Sequence, residues 1–287
     1  MLFDIVHRTD YRYGHPATEA CIEARLTPPN LPWQEILSHS IDFAPSVKTT
    51  DYEDFHGNLV TFASVAVRHE KFSVVNKLRV RTADRPLPSA ALDLTVAEAR
   101  QIFASQLPDL FDFLQPSAAV PVGGTAQVWA KRFLPGSATL REGLEALNSA
   151  IYKRFKYRPG STQNSTPLSK VWKTREGVCQ DFAHIMLSVL RTAGLPSRYI
   201  CGYIEAAPPE GGGLVGAIAT HAWVEVVLPG GDHAALDPTN HKWCGEQHVT
   251  IAAGRDFDDT APVRGTFKGS GVQKMKVRVT VKRRRDL

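Results

Sequence analysis

The amino-acid sequence predicts an α+β protein: an N-terminal antiparallel β-sandwich followed by helices packed on a second antiparallel sheet. Three observations predict it. The first 80 or so residues fall into short runs rich in β-branched and aromatic side chains, separated by Pro, Gly or Asn. Helical spacing sets in after a proline-rich break near residue 85, and strand-like runs return after residue 196.

In chain order, "FDIVHRTDYRYG", "ACIEARLTP", "ILSHSIDFAP", "TTDYEDFHGNLVTFASVAV" and "KFSVVNKLRVRT" read as strands, with a turn at His56 to Asn58. They make residues 1–85 a candidate sandwich. "RPLPS", Arg85 to Ser89, marks the break, and residues 86–136 read as a helical linking region where Val96, Ala99, Ile102 and Phe103 share one face. Residues 137–265 form the second unit. It opens on a T-x-x-E capping box, Thr139 and Glu142, which sets Leu144, Leu147, Ile151 and Phe155 on one face of a helix. Thr166 before Pro167 signals another start, because a proline at the first helical position gives up an N–H that has no partner there. The helix beginning at "GVCQDF" stops at Gly194, with Pro196 beyond. "SRYICGYIE", "HAWVEVVL" and "HAALDPTN" follow as strands, the last two joined by "PGGD". Residues 266–287 read as a C-terminal strand and basic tail.

With 43% hydrophobic and 22% charged residues in 287, the chain has the composition of a globular protein. No apolar run reaches the ~18 residues of a membrane span, and "MLFDIVHRTDYRY" lacks the basic start and apolar stretch of a secretory signal. A cytoplasmic protein with no membrane contact is expected. The net charge is +5, and the most concentrated basic run, "KRRRDL", Lys282 to Leu287, reads as a solvated tail. A basic face interleaved with aromatics is missing, so no nucleic-acid partner is expected. Cys21, Cys179, Cys201 and Cys244 lack CxxC spacing, which indicates neither a zinc site nor a disulfide framework. Cys201 reads as core, and Cys244 as partly exposed.

Cys179 stands at the mouth of an apolar helix. On a helical wheel it shares a stripe with Ala183, Met186 and Leu190, opposite Asp181, His184, Ser188 and Arg191. One reading is a small core residue, since free cysteine is commonly buried. The other is a nucleophile, because unpaired N–H groups and the positive end of the helix dipole favour a thiolate and can hold an oxyanion. A nucleophile needs a base and a group to orient it. His221 at the start of one strand and Asp237 at the end of the next supply both, 16 residues apart. A symmetric four-residue loop would put them on opposite faces of the sheet, so a three- or five-residue turn or a bulge is predicted between the strands. Asp256, Asp258 and Asp259 lack the pattern of a calcium loop and read as turn formers and a partner for Arg255 or Arg264; no metal site is assigned.

These segments resemble a known family. "GVCQDFAHIMLSVLRTAGLPSRYICGY", "THAWVEVVLPGGDHAALDPTN" and "GRDFDDTAPVRG" resemble the bacterial branch of the transglutaminase-like superfamily, papain-like in catalytic logic. "YRYGHPA" and "DFHGNLVTF" resemble the N-terminal region that precedes that core in bacteria. The resemblance implies Cys179 as nucleophile, His221 as base and Asp237 as orienting carboxylate, a thioester intermediate, and a peptide or protein amide as substrate, with no cofactor. Gln163, Trp172, Gln180 and Trp223 are candidates for the second oxyanion donor or the pocket wall. The family permits protease, amidase or acyl-transfer outcomes, and a non-catalytic binding module is the alternative from a different class.

Overall fold

Period-two alternation of apolar side chains builds most of the first strands and buries one of their faces. The structure, a computed structural model, describes residues 1–205 and 220–284. β1 (Leu2–Ala17), β2 (Glu19–Ala24), β3 (Gln34–Ala44), β4 (Thr49–Glu53), β5 (Leu59–Val65) and β6 (His69–Thr82) occupy the five strand-like runs, the fourth run holding two strands. Asp54 shapes the turn inside that run: its Oδ1 accepts from the N–H groups of His56 and Asn58, at 3.0 Å each.

Helices fill residues 86–136 more densely than the sequence reading resolved: α1 (Ser89–Leu92), α2 (Val96–Ala104), α3 (Leu107–Leu114) and α4 (Thr125–Phe133). α5 (Leu140–Arg154) begins at the expected capping box, with Glu142 N–H donating to Thr139 Oγ1 at 3.2 Å and Thr139 N–H donating to Glu142 Oε2 at 3.0 Å. Thr95 and Glu98 repeat the device at α2. β7 (Lys156–Tyr157) follows, then α6 (Leu168–Thr174), where Pro167 is the cap and not the first helical residue. Thr166 instead closes a turn with Gln163, its Oγ1 accepting from the Gln163 N–H.

β8 (Glu176–Gly177) leads into α7 (Cys179–Thr192), which lies across β9 (Ser197–Ile204), β10 (His221–Val227) and β11 (His233–Asp237). β12 (Lys242–Trp243) and β13 (His248–Gly254) complete an antiparallel sheet in the order β12-β11-β10-β9-β13. Phe182, Met186 and Leu190 of α7 share a core cluster with Val224, Val226 and Leu236 of the sheet, and each such buried side chain contributes ~1.5–3 kcal/mol. The polar stripe of α7 is buried as well. His184 Nε2 accepts from the Phe257 N–H, Ser188 donates to the Pro121 carbonyl, and Arg191 donates to the carbonyls of Gln115, Ser197 and Arg255. A central helix covered on all sides keeps polar residues only where each finds a partner.

α8 (Phe257–Thr260) precedes β14 (Val263–Lys268) and β15 (Gln273–Arg284), which return to the N-terminal unit. Two four-stranded sheets result, β15-β1-β6-β3 and β14-β2-β5-β4, packed over Tyr11, Ile22, Ala63, Phe72 and Val74. The basic run at the chain end is therefore not a solvated tail as far as Arg284: Lys282 pairs with Asp4 in the β1–β15 ladder, and Arg284 Nε donates to Asp4 Oδ2 at 2.7 Å. The rest of that run, residues 285–287, lies outside the described residues. Phe3, Ile5, Leu78 and Val80 of the sandwich pack on Tyr203, Val249 and Ile251 of the second sheet. Beside them Arg85, from the proline-rich break, reaches Glu225 at 2.7 Å with both side chains buried.

Candidate active site

The start of α7 is held by a carboxylate folded back on it. Asp181 Oδ2 accepts from the Val178 N–H at 2.8 Å and from Thr162 Oγ1 at 2.6 Å. Gly177 makes this possible, since a Cβ there would meet Asp181 Oδ2 at 2.8 Å and its Cβ at 2.9 Å. Gly177 is also fixed from outside by the parallel pairing of β7 and β8, in which Tyr157 lies beside it. Cys179 thus emerges at the first turn of a rigidly anchored helix, where the backbone N–H groups have no carbonyl one turn earlier.

His221 begins β10 opposite Gly202 of β9. A Cβ at Gly202 would overlap the Trp223 ring at 2.2 Å, so this glycine lets the indole lie flat beneath the strand next to the imidazole. β10 and β11 pair Val227 with His233 and Val224 with Leu236, leaving five residues, 228–232, in the connection. This is one of the predicted turn lengths. It aligns odd-numbered residues with odd-numbered ones, and so puts His221 and Asp237 on the same face.

The contact follows from that register: His221 Nε2 donates to Asp237 Oδ2 at 2.8 Å, and both side chains are buried. Asp237 is saturated with donors. Oδ2 also accepts from Asn240 Nδ2 at 2.7 Å and His248 Nε2 at 3.3 Å, and Oδ1 accepts from the N–H groups of Thr239 and Asn240 at 2.9 and 3.1 Å. Gly245 N–H donates to His248 Nδ1, which leaves the proton of that neutral ring on Nε2, facing the carboxylate. Burial alone would raise the Asp237 pKa, but His221 and the donors around it hold it well below the usual carboxylate range. For His221, burial disfavours the charged ring. The Asp237 carboxylate, by charge and by its hydrogen bond, and the charge of Cys179 outweigh this and push the pKa up to about 10. With Nε2 committed to Asp237, the nitrogen left for the sulfur is Nδ1, which is buried and has no hydrogen-bond partner among the described residues.

Cys179 and His221 line one end of a cleft of about 650 Å³. Gln180, Tyr157, Asn164 and Tyr199 line it with them. The Tyr157 hydroxyl pKa is pushed up to about 12, first by burial and then by the charges of Cys179 and Asp237. Of the other candidates, only Gln180 faces this cleft. Gln163 is exposed, and its neighbour Asn164 takes the lining position. Trp172 packs edge-on against Trp129 and Phe155 as a core anchor. Trp223 does not form the pocket wall: it is buried with Ile200, Ala235 and Cys244 and meets the His248 ring edge-on at 5.2 Å. Cys244 is buried, not partly exposed, and Cys201 is buried with its thiol pKa pushed up to about 12 by burial. Asp259 pairs with Arg255 at 2.9 Å and with His56 at 3.0 Å, and Asp256 caps α8 through the Asp258 N–H. The supporting donors Asn240 and His248 and the lining residues Tyr157 and Asn164 were not singled out from the sequence. A polar residue three positions after Asp237, in an Asx-type turn, was the available signal for Asn240.

Comparison with known proteins shows the family and the fold. Residues 3–81 match the bacterial transglutaminase-like N-terminal region, and residues 127–238 match the transglutaminase-like superfamily core. An uncharacterised protein of Mycobacterium leprae is 31% identical over 284 residues, covering 97% of this chain and 98% of its own. One from Mycobacterium tuberculosis is 34% identical over 276 residues, covering 92% of this chain and 86% of its own. A protein-glutamine gamma-glutamyltransferase of Pseudomonas aeruginosa is 34% identical over 104 residues, 33% of this chain and 16% of that one. Among solved structures, a candidate cysteine protease from Cytophaga hutchinsonii superposes with a TM-score of 0.75 at 22% identity, over 100% of this chain and 92% of its own.

Proposed function

Because the chain belongs to the transglutaminase-like superfamily, we propose that it is a thiol enzyme that opens amide or peptide bonds through Cys179, His221 and Asp237. One observation carries the reading: a buried imidazole, bound through Nε2 to a saturated carboxylate, keeps Nδ1 free for a cysteine at a helix N-terminus inside a cleft. The Cys179 thiolate attacks the carbonyl carbon of the amide, and the tetrahedral oxyanion forms against the first-turn N–H groups of α7, each such donor contributing ~2.7–4 kcal/mol. The C–N bond then breaks as the proton on His221 Nδ1 passes to the leaving amine, giving a thioester on Cys179. Asp237 holds the ring in place and balances its charge.

Water completing the cycle makes the protein a peptidase or amidase, and a second amine makes it an acyl transferase. Hydrolysis is the simpler outcome, since water reaches any open thioester and nothing in the sequence marks a dedicated amine pocket. The gamma-glutamyltransferase relative keeps amine transfer within the same chemistry.

Alkylation by iodoacetamide as a function of pH tests the reading. Cys179 is expected to react below pH 7, and the His221→Ala protein to lose that low-pH reactivity. A Cys179 that titrates like an ordinary thiol in both proteins refutes it.

A further inference from the structure

The cleft does not end at the catalytic core. It continues into the sandwich, where residues 263–267 of β14 form one wall, and Gln273, Met275 and Val277 of β15 form the other. β14 and β15 are the end strands of their sheets, so the cleft follows a seam at which the sandwich stays open. Met275 is 57% exposed there, an apolar side chain standing in the opening.

The main chain along this seam is unpaired at every second residue. The Pro262 carbonyl accepts from the Arg25 N–H at 2.9 Å, and the ladder continues with Arg264 opposite Glu23 and Thr266 opposite Cys21. In an antiparallel pair the bonded positions alternate, so even-numbered residues of β14 bond to β2, while Val263, Gly265 and Phe267 turn their N–H and C=O groups to the free edge. Among the described residues no strand occupies that edge. Such an edge is a template for an extended chain. Arg264, exposed on the same wall, has no ion-pair partner among the described residues and adds a charge that complements an acidic side chain.

We propose that the substrate is an extended polypeptide with an acidic side chain, which adds a strand to the free edge of β14 and delivers its reactive amide to Cys179. This rests on Cys179 being the nucleophile. The N-terminal sandwich is then half of the substrate site, and a continuous cleft from β14 to Cys179 favours a chain bound along its length over a small isolated amide.

The test uses the full chain and follows alkylation of Cys179 by peptide-resolved mass spectrometry, each rate divided by that of glutathione added to the same sample. The reagents are chloroacetamide and two probes carrying the pentapeptide Val-Glu-Val-Glu-Val, one through an N-terminal chloroacetyl group and one through a C-terminal chloromethyl ketone. One of the two probes is expected to exceed chloroacetamide in normalised rate by at least about tenfold, the equivalent of a pair of retained main-chain hydrogen bonds. N-methylation of alternate residues is expected to abolish the gain, while N-methylation of the intervening residues preserves it. Lysine in place of the glutamates is expected to reduce it. Val263→Pro, which removes an edge N–H and leaves the bonds to β2, is expected to reduce it too. A reactive Cys179 with no peptide gain, or a gain lost equally at every N-methyl position, overturns the proposal alone. A Cys179 that chloroacetamide labels no faster than glutathione at pH 6 removes the nucleophile and the proposal together.

Discussion

Replacing Asp237 by asparagine keeps the shape of the site and removes its charge, and the structure sets what this costs. Oδ1 accepts two backbone N–H bonds, which an amide oxygen can retain. Oδ2 accepts from His221, Asn240 and His248 at 2.8, 2.7 and 3.3 Å, and an amide NH₂ in its place would face three donors. The side chain is fully buried, so water offers no relief. Breaking one side of a buried ion pair destabilises by ~3–5 kcal/mol, and the unmatched donors place Asp237→Asn in that range. The His221 pKa should fall from about 10, since the carboxylate no longer offsets burial and Cys179 alone still raises it. The sign with pH follows. A raised histidine pKa contributes stability that is complete below 6.5 and lost as pH rises through about 10. A depressed carboxylate contributes above 3.8 and loses this as pH falls further. The gap between wild type and variant is therefore widest from about pH 4 to 6.5. Urea unfolding across pH, paired with NMR titration of the His221 ring, measures both. A variant within about 1 kcal/mol of wild type at pH 6, with an unchanged ring titration, would refute the reasoning.

Further outcomes are open to direct measurement. Gly177→Ala should destabilise by ~1–3 kcal/mol in denaturant unfolding and slow Cys179 alkylation, because the new Cβ displaces the Asp181 carboxylate from the Val178 N–H. Arg85→Met should cost ~3–5 kcal/mol, because Glu225 stays buried with one guanidinium fewer; an unfolding midpoint equal to wild type would show that Arg198 alone suffices. Mass mapping of native protein after brief alkylation should find label on Cys179 and Cys21, and on Cys201 and Cys244 only after unfolding, since burial raises both of their thiol pKa values.

Local chemistry was the legible part of this sequence. The Thr139–Glu142 box, the turn at His56 to Asn58 and the strand runs each depend on neighbours within a few residues, and the structure holds them where pattern puts them. The five-residue connection between β10 and β11 was legible for a different reason: requiring His221 and Asp237 to share a face excludes the even-numbered loop. What stayed hidden depends on long-range closure. Pairing of Leu2 with Arg284 spans nearly the whole chain, and nothing local in "KRRRDL" distinguishes an edge strand from a tail. The polar stripe of α7 has the pattern of a solvated face, yet it meets carbonyls and N–H groups brought from residues 115, 121 and 257 by tertiary folding. For the same reason the sequence makes Trp223 a candidate for the pocket wall: period two gives its face correctly, while depth beneath the strand is set by the missing side chain at Gly202.

The central claim is that Cys179 becomes acylated. Intact-mass and peptide-mapping mass spectrometry after exposure to a library of glutamine-type amides and peptides tests this most directly, with Cys179→Ser protein in parallel. The account predicts a mass increase equal to one acyl group, localised to Cys179, carried by at least one member of the library and missing from the serine variant. A Cys179 that stays unmodified throughout, or the same adduct on the variant, would contradict it.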